Sequence, residues 1–86
     1  MAEYAVNFRR SAEKDLRRLD PTTEGRVLRS IEKLARDPRP DGCRKLVGSA
    51  NAFRIRVGDY RVIYAVEDTI HVVTIESIRH RREAYR

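Results

Sequence analysis

Arg54 and Arg56 alternate with Phe53, Ile55 and Val57, and after Gly58-Asp59 the chain returns through Tyr60, Arg61, Val62 and Tyr64. Alternation with period two marks a half-buried strand. A Gly-X pair between two such runs reads as a two-residue hairpin turn. That turn would fix the register. Val57 then faces Tyr60, Ile55 faces Val62 and Phe53 faces Tyr64 on one side, while Arg56 falls opposite Arg61 on the other, with Arg54 one step along. Like charges directly opposed in a sheet cost from a few tenths of a kcal/mol up to about 1 kcal/mol. A hairpin that carries such a cost has an anion to bind, or a face open to water.

The chain ends in Arg79-His80-Arg81-Arg82-Glu83-Ala84-Tyr85-Arg86, directly after a run rich in β-branched residues. By charge alone this end reads as a solvated tail. Brought next to the hairpin by an adjacent strand, it adds arginine, histidine and tyrosine to one sheet end. RNA carries its own nucleophile, the 2′-hydroxyl, so cleavage needs in-line positioning and neutralisation of the charge that develops on phosphorus. Arginine binds phosphate in a two-pronged manner but cannot act as a general base, because its pKa lies above about 12. His80 and Tyr85 are the nearby groups with a proton to exchange. Tyr85 alternatively stacks on an unpaired base.

Eighty-six residues make a single domain, 1–86, with a core just large enough to fold alone. Lys plus Arg number 19 against 13 Asp plus Glu, a net charge of +6, and all the cations except Lys14, Lys33 and Lys45 are arginine. That skew suits planar phosphate recognition better than general solubility. A small basic domain meets nucleic acid or an acidic protein. The single cysteine, Cys43, excludes an internal disulfide and a cysteine-rich zinc site, and it fits a reducing cytoplasm. No apolar stretch precedes Arg9-Arg10 and none reaches membrane-spanning length, so neither a secretion signal nor a membrane partner is expected.

The elements that position these groups follow from periodicity. Tyr4–Phe8 reads as a first strand, and Ser11 as the cap of a helix with Ala12, Leu16 and Leu19 on one stripe. Asp20-Pro21 opens a second helix carrying Val27, Leu28, Ile31, Leu34 and Ala35, which ends before Pro38. Leu46-Val47 reads as a short strand ahead of the hairpin, and Ile70–Ile78 as the last strand after a turn at Asp68-Thr69. That second turn would put His71, Val73 and Ile75 on the apolar face and Glu76 opposite Arg61. The expected fold is α+β: an N-terminal strand and a two-helix hairpin packed on one face of a small antiparallel sheet.

Other site readings are weak. Two histidines without spaced carboxylate or cysteine partners make no metal site, and no cofactor is expected. Cys43 has basic neighbours in Arg44 and Lys45 but no histidine nearby in sequence, so a nucleophilic role is not expected.

The order YAVNF, helical hairpin, RKLVG, RIRVGDYRVIY and RHRREAY resembles the RelE/ParE toxins of type II toxin–antitoxin modules over nearly the whole chain. The most specific parts are VGDYRVIY and HRREAY. The RelE branch implies a ribosome-dependent endoribonuclease that cuts mRNA in the A site by metal-independent 2′-hydroxyl attack, inhibiting translation. Carried over by position, the resemblance implies catalytic roles for Arg54, Arg56, Arg61, Arg81 and Tyr85; His80 is a secondary candidate on its own proton chemistry. Arg44, Lys45, Arg79 and Arg82 are expected to contact RNA or the ribosome. The well-studied RelE form has lysines where this chain has Arg54 and Arg56. The expected partners are a cognate antitoxin (RelB-like or other, acidic or amphipathic), the ribosome and mRNA. The alternative within the superfamily is a ParE-like toxin that binds and poisons DNA gyrase without cutting RNA.

Overall fold

The computed structural model describes residues 3–82. It contains β1 (Ala5–Phe8), α1 (Arg10–Arg17), α2 (Pro21–Lys33), β2 (Arg44–Lys45), β3 (Ala52–Val57), β4 (Tyr60–Glu67) and β5 (Val72–His80). The strands form one sheet in the order β1-β5-β4-β3-β2. Both helices cover one face, as the α+β reading requires. The sheet is mixed: β1 runs parallel to β5, and the other pairings are antiparallel. The connectivity permits this parallel pairing, since the helical hairpin and three strands intervene between β1 and β5.

Alternation in the strands decides the core. Phe53, Ile55, Val57, Val62, Tyr64, Val66, Val73, Ile75 and Ile78 are buried, and Ala12, Val27, Ile31 and Leu34 of the helical layer close over them. The Tyr64 ring is fully buried, and its hydroxyl donates to the Pro38 carbonyl at 2.7 Å. Burial pushes the phenol pKa up, so it remains a neutral donor. This bond fastens the loop after α2 to the centre of the sheet.

The helix starts differ from one another. Asp20 caps α2 through Thr23: the backbone N–H donates to Oδ2 at 3.2 Å and the hydroxyl to Oδ1 at 2.6 Å. Pro21 takes the first helical position, where no N–H is needed. In α1 the capping position is Arg9, which makes no side-chain cap, and Ser11 lies inside the first turn. The Ser11 hydroxyl instead donates to the Glu76 carbonyl at 2.8 Å, and Asp15 accepts from the Ile78 N–H at 2.9 Å. β1 stops pairing at Ile75, so these two side chains satisfy the edge of β5 that β1 leaves uncovered.

Two strand assignments also shift. The short strand is Arg44–Lys45, paired with Phe53 and Arg54, and Val47 stands fully exposed in the following turn. The β4–β5 turn holds four residues, 68–71, rather than two, with His71 at φ +53 in the left-handed region. His71 is therefore exposed in the turn and does not join the apolar face. Its ring packs edge-on to Tyr4 at 4.9 Å. Beyond the turn, Tyr64 pairs with Ile75 but Ile63 with Ser77, so Glu76 is an extra, bulged residue. The longer turn and the bulge together slide β5 by three positions from the two-residue-turn register. Arg61 therefore faces Arg79, not Glu76. Among the described residues no helix is long and apolar enough to cross a membrane.

Candidate nucleic-acid interface

The uncovered face of the sheet carries most of the candidate arginines. The β3–β4 register is as the Gly58-Asp59 turn dictates, with Arg56 opposite Arg61 and Val57 opposite Tyr60. With Arg79 opposite Arg61 on the other flank, three arginines form one row across β3, β4 and β5. A second pair lies alongside, Arg54 opposite Arg44 on the edge strand. Arg44, Arg54, Arg56 and Arg61 line a hollow of about 300 Å³, together with Gly42 and Ile55.

Three carboxylates of β4, β5 and the turn between them are engaged elsewhere. Glu76 pairs with Arg9 at 3.5 Å, and Glu67, at the far end of β4, accepts from Asn51 at 2.6 Å. Asp68 accepts both Arg39 prongs at 3.2 and 2.7 Å and the Tyr4 hydroxyl at 2.6 Å. The Arg39 and Tyr4 hydrogen bonds hold the Asp68 carboxyl pKa down to about 2. Arg44, Arg54 and Arg79 make no ion pair among the described residues, and Arg56 donates only to the Gly58 carbonyl at 3.3 Å. Several guanidinium groups on one face have the charge and geometry that suit a phosphodiester.

The other expected residues divide. Arg81 follows β5, and its N–H donates to the Asp59 carbonyl at 2.7 Å, which holds it at the hairpin turn beside the arginine row. Arg82 is next to it and exposed. His80 pairs with Tyr60 by register, and the two rings meet edge-to-face at 5.2 Å on the side facing the helices. Its Nδ1 accepts from the Arg82 N–H at 3.3 Å. The imidazole thus lies on the opposite side of the sheet from the row. Lys45 pairs with inward-facing Phe53, so it stands on that same side, exposed at the edge. Tyr85 lies outside the described residues. Cys43 packs against the core, where it serves as a small apolar side chain. No group of three or more His, Cys, Asp or Glu comes together among the described residues.

One cationic group escaped the strand-based reading. Arg26, Arg29 and Lys33 of α2 line a cleft of about 350 Å³ with Ser30, Arg56, Val57 and Gly58. The signal was in the sequence as basic residues three and four apart, the spacing of one helix face.

Comparison with known proteins agrees with this architecture. The family model for the ParE toxin of the type II toxin-antitoxin system, parDE, matches residues 6–85. The chain belongs to the RelE/ParE toxin family. Toxin RelG of Mycobacterium tuberculosis is 32% identical, over 96% of this chain and 97% of its own length. A RelE1 toxin of Methanocaldococcus jannaschii is 30% identical, over 98% and 97%. The RelE–RelB complex of Pyrococcus horikoshii OT3 contains a chain that superposes with a TM-score of 0.82 at 31% identity, covering 92% of this chain and 96% of that one. In this family member the basic face is therefore the open face of a toxin fold.

Proposed function

We propose that this toxin is a ribosome-dependent endoribonuclease that cuts mRNA in the A site. The observation that carries the reading is the Arg56–Arg61–Arg79 row on an uncovered sheet face. In the proposed step the 2′-oxygen attacks the adjacent phosphorus and the bond to the 5′-oxygen breaks. This leaves a 2′,3′-cyclic phosphate and a 5′-hydroxyl. The proton leaving the 2′-hydroxyl goes to a base, and the departing 5′-oxygen takes one up. Arg54, Arg56, Arg61 and Arg81 stabilise charge on the non-bridging oxygens, the kind of term whose loss costs about a hundredfold or more per donor. Tyr85 is assigned to stacking on the splayed base. His80, turned toward Tyr60, reaches this face only if its ring leaves that contact. Arg44, Arg79 and Arg82 hold flanking phosphates, and Lys45 approaches from the sheet edge.

The mechanism assigns no catalytic role to a metal ion held by the toxin. The partner is an antitoxin, as RelB is for RelE in the Pyrococcus complex, and the +6 charge calls for an acidic or amphipathic segment. Mapping 5′ ends of transcripts after brief expression tests the activity. Cuts phased with codons support it. DNA damage signalling without mRNA cuts would instead indicate gyrase poisoning.

A further inference from the structure

The α2 cleft lies on the helix-covered side, yet it shares Arg56 with the arginine face. β2 pairs only as far as Arg54, so β3 has a free edge from Ile55 to Val57. Arg56 sits on this edge and lines both the hollow on the open face and the cleft against α2. Around it the cations are set by packing. The Arg26 guanidinium lies against the hairpin turn, where a Cβ on Gly58 would meet its Nη atoms at 3.5 Å. Arg29 folds back along the helix, its Nη1 3.4 Å from a Cβ built on Gly25. Lys33 follows one turn on. No carboxylate lines this cleft; Asp41 and Asp59 line the neighbouring hollows. Arg29 and Lys33 are four apart on one helix face, a like-charge spacing that costs a few tenths of a kcal/mol. None of Arg26, Arg29 or Lys33 has an ion-pair partner among the described residues.

We propose that Arg26, Arg29 and Lys33 form a second phosphate-binding subsite, which takes the RNA backbone as it turns around the free edge of β3 from the arginine face. The subsite reads no base, because it offers only charge and the Ser30 hydroxyl. It deepens the ribonuclease reading and rests on it for the identity of the polymer. The backbone could belong to the mRNA strand or to ribosomal RNA, and two binding arms tell these apart.

The test compares Arg29→Ala/Lys33→Ala with a charge-matched control on exposed α1 positions, Lys14→Ala/Arg17→Ala. One arm measures binding of a 2′-O-methylated 12-nucleotide single strand against salt concentration. The other measures binding to vacant ribosomes. Two lost phosphate contacts reduce the single-strand salt slope by about 1.4, and the control leaves it near the wild-type value. A reduced slope in the oligonucleotide arm assigns the cleft to mRNA. A loss of at least fivefold with ribosomes alone assigns it to ribosomal RNA. Equal effects of the two double variants in both arms, or a loss confined to antitoxin binding, would overturn the subsite. Neither result bears on cleavage itself: transcript cutting that persists while the two double variants match in both arms refutes the subsite alone, and a loss in either arm with a toxin that cuts no mRNA refutes the ribonuclease reading alone.

Discussion

Replacing Arg79 by glutamine should make the protein more stable and a poorer RNA binder. Arg79 is exposed, faces Arg61 directly and forms no ion pair among the described residues, so its charge contributes repulsion to the fold. Directly opposed positions of an antiparallel pair hold their Cβ atoms about 5 Å apart. Two unit charges at about that distance repel by roughly 0.8 kcal/mol in water. Salt at about 0.1 M, with a Debye length near 10 Å, lowers this to roughly 0.5 kcal/mol. Splayed side chains reduce it further, so the figure is a ceiling for one apposition. Arg79→Gln should therefore raise the unfolding free energy by up to about 0.5 kcal/mol, roughly 2–4 °C in Tm for a domain of this size. Urea titrations followed by circular dichroism at low and high salt measure the effect, and it should shrink toward zero in 1 M salt. The same variant should bind a 2′-O-methylated RNA strand more weakly. A variant that is less stable than wild type, or a gain that persists at high salt, would refute the argument that the row is an electrostatic cost kept for ligand binding.

Tyr64→Phe strands the buried Pro38 carbonyl and should cost about 1–3 kcal/mol in urea unfolding. Gly58→Ala keeps ordinary contact with Arg26 but forces alanine to φ +59, and it should cost about 1–2 kcal/mol. Asp68→Asn reports on pH: the folded carboxyl is held down at about 2, below the ordinary value of 3.8. Its contribution is therefore present above about pH 4 and lost as pH falls toward 2. Wild type should be the more stable of the two near neutrality, and the two should converge in acid; a stability gap that widens below pH 4 would contradict the sign.

How much of this was legible in the sequence depends on what fixes each element. The β3–β4 hairpin was readable to the residue because Gly58-Asp59 sets the turn length and alternation on both sides sets the faces. Asp20-Pro21 likewise announced the start of α2. β5 was readable as a strand but not in register. His71 enters the left-handed region without being glycine or asparagine, and the bulge at Glu76 is supported by Ser11 and Asp15 of α1, partners 65 and 63 residues away. No local pattern encodes such contacts. The same slide places Arg79 rather than Glu76 opposite Arg61 and so extends the arginine row. The side on which His80 stands follows from that register, so it too was hidden. The α2 cations were visible as a stripe, but their access around the β3 edge to Arg56 depends on β2 beginning only at Arg44.

In the proposed reaction Arg54, Arg56, Arg61 and Arg81 act on the phosphate attacked by a 2′-hydroxyl. Single-turnover cleavage of an mRNA on purified ribosomes, with the 2′-hydroxyl at the mapped cut site either present or replaced by hydrogen, tests it most directly when run with wild type and Arg61→Ala. Cleavage of the ribose substrate by wild type, none of the deoxy substrate, and a loss of about a hundredfold or more in a folded Arg61→Ala protein are the predicted results. Equal cutting of both substrates, or a full rate in the folded Arg61→Ala protein, would contradict the account.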